Sequence, residues 1–169
     1  PIKTLIFPLT WGGHDEGVRG GYDYPAMAHQ ADKAHAQGGL VTWAHFGGRM
    51  EAPIDVVLGK IDSIDLFTWG DAFRVSTTAV DGVTVPGPVQ YWYKFLNTGT
   101  RIPVTAGTDK MVNTQVSGSV RTYAFLGSQA FSYDRWIDAI RHGRTFVTTG
   151  PMIFLKADGK EIGSALRAK

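Results

Sequence analysis

Short apolar runs that stop on small residues alternate with helix-like segments along most of this chain, and that alternation leaves few folds open to it. "LVTWA" runs into His45 and two glycines, "SIDLF" into Thr68 and Trp69, and "RIPVTAG" into Thr108 and Asp109. Apolar runs of this length, bounded by turn residues, read as strands buried on both faces. Strands that alternate with helices read as parallel βαβ units, so the expected class is α/β.

The helical segments carry start and stop signals. In "YDYPAMAHQADKAHAQGG", Asp23 fits a cap, Pro25 the first turn and Gly38 the position past the end. Met27, Ala28, Ala31, Ala34 and His35 share one face of that helix. "PVQYWYKFLNTG" starts on Pro88 and stops on Gly99, and "SYDRWIDAIRHG" has Ser132 as cap and Gly143 past its end. "STTAVDGVTVPG" predicts a small hairpin on Asp81-Gly82, a type I′ dipeptide. "TLIFPL" (Thr4 to Leu9), "VRTYAFL" and "RTFVTTG" read as further strands. "MIFLKADGKEIG" reads as a C-terminal β-hairpin turning at Asp158-Gly159. The expected organisation is a β/α portion over residues 1–150 and the start of an appended β element over 151–169.

Composition narrows the function classes. The 169 residues suffice for one ordinary domain, and 43% hydrophobic with 19% charged residues marks a globular chain. Its 17 basic and 15 acidic residues are dispersed, with no basic run, so neither nucleic acid nor an anionic membrane is expected as partner. With no cysteine, disulfides, thiolate zinc sites and thiol nucleophiles are excluded. An absence of cysteine is compatible with cytoplasm or periplasm; no apolar run approaches the length of a membrane span and no signal peptide is visible.

In parallel α/β folds ligands bind at the carboxyl ends of strands, which makes His45 and Asp109 the candidate metal ligands. Imidazole nitrogen and carboxylate oxygen suit zinc, manganese or iron. Each also has a structural reading: His45 as a hydrogen-bonded strand-end residue, Asp109 as a cap for the next segment. Lys110 and Arg49 lie beside them in sequence and are the candidate substrate-binding cations, with Glu51 a further carboxylate nearby. His29 and His35 do not share the i, i+4 spacing of a metal-binding helix, and His142 suits the last turn of its helix. His14 lies in a glycine-rich loop that assigns it no role. No G-x-S-x-G elbow, P-loop or G-x-G-x-x-G occurs.

The order of "ADKAHAQGGLVTWAHFGG", "WYKFLNTGTRIPVTAGTDK", "VRTYAF" and "WIDAIRHGRTFVTTGPMIFLKADGKEIG" resembles the PHP-type metallohydrolases, most nearly their carbaryl-hydrolase (CehA/McbA-like) branch. The resemblance runs from about Pro25 to Gly163, and "GRTFVTTGP" with "DGKEIG" is its most distinctive block. It implies part of a distorted (β/α)7 barrel with divalent metal at the strand ends. His45 matches the histidine of the family's "HP" motif, with Phe46 in place of proline. Asp109 matches the aspartate of "GSDAH", which reads "GTDKM" here, so Met111 stands where that motif has histidine. The family's opening His-x-His strand has no counterpart.

The resemblance therefore implies the C-terminal portion of such a protein, short of a full metal site by itself. A missing N-terminal half or a second copy of the chain is the expected partner. The implied activity is metal-dependent hydrolysis of an ester, carbamate or phosphoester bond in a small-molecule substrate. The alternative is a non-catalytic barrel segment acting as a binding or assembly module. An apolar binder built on Trp43, Trp69, Trp92 and Tyr93 is discounted, since such aromatics usually pack in the core.

Overall fold

The computed structural model describes residues 27–44, 52–67, 78–80, 83–85 and 87–167. In chain order the elements are α1 (Met27–Ala36), β1 (Thr42–Trp43), α2 (Ala52–Val57), β2 (Ser63–Phe67), β3 (Thr78–Val80), β4 (Val83–Val85), α3 (Pro88–Asn97), β5 (Val104–Ala106), β6 (Arg121–Ala124), α4 (Tyr133–Arg141) and β7 (Thr145–Thr148). The strand expected at Thr4 to Leu9 lies outside the described residues. The chain divides into two units: residues 1–41 with 49–61, and residues 42–48 with 62–169.

In the first unit α1 packs on α2. Both helices end in the same way. Gly38 (φ 74°) and Gly59 (φ 69°) take the left-handed conformation just past the last turn, and the next amides, Gly39 and Lys60, reach back to the carbonyls of Ala34 and Asp55 at 2.8 Å each. Glycine is favoured there because it has no Cβ to clash. Lys60 Nζ reaches Asp32 Oδ1 at 2.6 Å and ties the end of α2 to α1. Of the apolar face expected on α1, only Ala31 is buried. Helix α2 was not among the sequence expectations; six residues are too few to show a 3.6-residue period.

In the second unit β1, β2 and β5 form a parallel sheet in the order β1-β2-β5. Ile64 and Leu66 on β2 and Ala106 on β5 are buried, as are Ile137, Ala139 and Ile140 on α4. Both predicted helices form as read: Pro88 opens α3, and the Ser132 hydroxyl accepts from the Arg135 amide at the start of α4. The β3–β4 hairpin is present, with Val80 opposite Val83 across the Asp81-Gly82 dipeptide.

Two expectations need correcting. The strands β6 and β7 pair antiparallel, Ala124 opposite Thr145, although a helix lies between them. Residues 125–144 leave and re-enter at the same end of the pair, closed by the Phe125 amide bonding to the Arg144 carbonyl at 2.8 Å. The connection is thus an out-and-back excursion and not a crossover. The C-terminal hairpin is reduced to a single bridge, Ala157 with Lys160, around Asp158-Gly159. Its arms do not pair further, and Met152, Ile153, Phe154 and Leu155 are all exposed. A lone two-stranded hairpin with no sheet or helix to pack on is marginal in water. The described residues form no closed barrel; the architecture is mixed α/β with a three-stranded parallel sheet and small antiparallel pairs.

The β6–β7 pair meets β5 through threonine side chains. Thr122 Oγ1 donates to the Ala106 carbonyl and accepts from the Ala106 amide, both at 2.7 Å. Thr108 Oγ1 does the same with Val120, both at 3.3 Å. Thr145 Oγ1 adds a bond to the Val104 carbonyl at 2.9 Å. Hydroxyls can stand in for a backbone ladder because each is at once donor and acceptor.

Candidate functional site at the carboxyl edge of the sheet

Because β1, β2 and β5 are parallel, their carboxyl ends share one edge. The exits of β1 and β5 flank that of β2, so they stand two strand spacings apart, roughly 9–10 Å. The exit of β1 leads toward His45; His45, Arg49 and Glu51 lie outside the described residues.

From β5 the chain continues through Gly107, Thr108 and Asp109. Thr108 is buried and bound on both sides to Val120, which fixes where the next residue starts. A Cβ placed on Gly107 would meet no atom within 4 Å, so space stands open beside this exit. Asp109 is half-buried and has φ 48°, the left-handed region. A non-glycine residue is disfavoured there by roughly 1–2 kcal/mol, with Asp among the better tolerated. Strain of this kind persists where the surroundings over-determine it, and it clusters at functional sites.

The surroundings are unusually well tied. Lys110 Nζ donates to the carbonyls of Val112 at 2.9 Å and Gln115 at 2.6 Å. Gln115 Oε1 accepts from the amides of Met111 at 2.6 Å and Val112 at 3.3 Å. Two of the three ammonium hydrogens of Lys110 are therefore engaged within its own loop, leaving one for a ligand. Met111 is exposed.

Sequence reasoning missed Arg121. Its Nη1 donates to the Gly118 carbonyl at 2.8 Å and its Nη2 to the Gly150 carbonyl at 2.7 Å. The guanidinium thus joins the loop that follows Asp109 to the turn that follows β7. It sits 6.0 Å over the Tyr123 ring, which stacks on Phe146. Its Nε is buried with no hydrogen-bond partner among the described residues. The available signal was an arginine opening a β-branched and aromatic run directly after "SGSV". On the far side of β5, Asp65 on β2 accepts from Thr105 Oγ1 at 3.1 Å, a carboxylate held by the sheet itself.

Among the described residues no group of three or more His, Asp or Glu side chains could hold a metal ion. The described residues therefore do not by themselves fit a metal. Among the discounted aromatics, Trp43 is buried, Tyr93 is exposed, and Trp92 donates its indole N–H to the Ile102 carbonyl at 3.0 Å; Trp69 lies outside the described residues. Among the described residues no helix is long and apolar enough to cross a membrane.

The class that this fold defines is an α/β protein with an open parallel-sheet edge. Comparison with family models, with curated proteins and with solved structures finds no match for the chain.

Proposed function

We propose that this chain is part of a metal-dependent hydrolase that cleaves an ester, carbamate or phosphoester bond in a small molecule. The observation that carries the reading is Asp109: a half-buried carboxylate in a left-handed conformation at the carboxyl edge of a parallel sheet. In this reading the sheet belongs to a distorted PHP-type β/α barrel, and His45 and Asp109 are ligands to zinc, manganese or iron. The remaining donors come from beyond the described residues, from this chain, from the other half of the barrel or from a second copy. Arg49 and the remaining hydrogen of Lys110 are assigned to the substrate.

Elemental analysis of the purified chain, with Asp109→Ala and His45→Ala alongside, tests the assignment. Near-stoichiometric metal that is lost in both variants, with their far-UV spectra unchanged, is the expected result. Metal retained in both variants would remove the two residues from the site. A second reading, a non-catalytic binding or assembly module, draws on the exposed apolar run from Met152 to Leu155. It predicts a self-associating or partner-bound chain whose behaviour is unchanged by chelators.

A further inference from the structure

At the amino end of β5, opposite the Asp109 edge, lies a cavity of about 540 Å³. Residues just before β5 and just before β7 line it, together with α3, the end of α4 and the C-terminal segment at Gly163 and Ser164. The volume falls within the usual range of small-molecule sites, roughly 300–1,000 Å³. One side is apolar, formed by Trp92, Leu96, Ile102 and Pro103. The indole N–H of Trp92 is already given to the Ile102 carbonyl, so what it offers a ligand is its ring. The tail is seated and not draped: Gly163 has φ 80° and a Cβ there would lie 3.2 Å from the Arg144 Cα, so a side chain is disfavoured at that point.

The charge on the rim decides the ligand. Among the described residues three basic side chains line the cavity, Arg101, Arg141 and His142, and no carboxylate does. Arg141 is paired with Asp62 at 3.4 Å and His142 with Asp138 at 2.9 Å. Among the described residues Arg101 has no ion-pair partner, and it is exposed at the mouth. An unpaired guanidinium beside an apolar wall with an aromatic face suits a flat apolar body ending in an anion, because its planar fork matches a carboxylate.

We propose that this cavity binds a small aromatic carboxylate, with the ring against Trp92 and Leu96 and the carboxylate on Arg101. The site is separate from the hydrolase reading and stands on the opposite edge of the sheet.

The test is a titration of the full chain with 2-naphthoate, followed through backbone amide chemical shifts, with 2-naphthylmethanol as the neutral counterpart. Saturable shifts concentrated at residues 101–104, 143–145 and 163–164 are expected. Arg101→Gln should weaken naphthoate about tenfold, the usual scale for one charge-assisted hydrogen bond, and should leave naphthylmethanol unchanged. Arg101 is exposed, so this variant folds as the parent does, and its unchanged amide spectrum verifies that. Shifts mapping elsewhere, no saturation up to the solubility limit, or equal binding of acid and alcohol would each overturn the proposal.

Discussion

Replacing Thr122 by valine keeps the shape of the side chain and removes the hydroxyl that bonds both ways to Ala106. If this position were an ordinary strand site, valine would be neutral or slightly stabilising, since it fits a pleated surface at least as well as threonine. The structure gives the opposite sign. The substitution deletes two bonds of 2.7 Å and leaves the Ala106 amide and carbonyl without them, in a residue that is 8% exposed. Each lost bond is worth about 1 kcal/mol net, and more where the stranded group stays dry. Thr122 is itself half-buried and admits some water, so the expected loss is about 2 kcal/mol, or about 4–8 °C in Tm for a chain of this size. Thr122→Ser keeps the hydroxyl and should lose less, although serine is the poorer strand residue. Thr108→Val removes two longer bonds of 3.3 Å and should cost about half as much. Urea unfolding of the three variants, with m-values compared, measures the order. Thr122→Val at or above the stability of Thr122→Ser would refute the idea that hydroxyls join these strands.

Two further outcomes rest on particular residues. Asp109→Gly relieves the left-handed backbone and should raise stability by up to about 1 kcal/mol, whereas Asp109→Ala should not; a scan of Tm for both variants, read beside their metal content, separates strain from ligation. The hydrogen bond from Arg144, with His142 close by, holds the Asp138 carboxyl below the usual carboxylate range. A lowered pKa gives stability that is present above the unfolded value of about 3.9 and lost as pH falls through the folded value. The stability difference between the parent chain and Asp138→Asn, followed by thermal unfolding across pH, should therefore be constant near neutrality and shrink only below about pH 4; a difference that already shrinks well above that would refute the assignment to the Asp138 carboxyl.

The elements most legible in the sequence were those with chemical punctuation. Pro88 and Ser132 each specify a local backbone geometry, and each stands where that geometry occurs, while Asp81-Gly82 falls between the paired residues Val80 and Val83. What could not be read was how neighbours meet. The strand–helix–strand order of 121–148 is the same for a crossover and for an excursion; the antiparallel register of β6 and β7, closed by the Phe125–Arg144 bond, is what distinguishes them. Thr108, Thr122 and Thr145 look like β-formers in sequence, and nothing local says that their hydroxyls face another strand. The strand exit at Asp109 was legible from its small residues, but the engagement of Lys110 by its own loop was not, because a lysine near a ligand looks the same in sequence whatever it holds. Arg121 escaped for a related reason: its role lies in joining Gly118 to Gly150, which are far apart in the chain.

A backbone ladder opens like a zipper, from one end, because each rung is held by its neighbours. The joint between β5 and β6 is made of press-studs. One χ1 rotation of Thr122 breaks both of its bonds at once and needs no change in the backbone on either side. The residue next to Thr122 is Arg121, so the hydroxyl joint to β5 and the tether to the Asp109 loop are carried by adjacent positions of one strand.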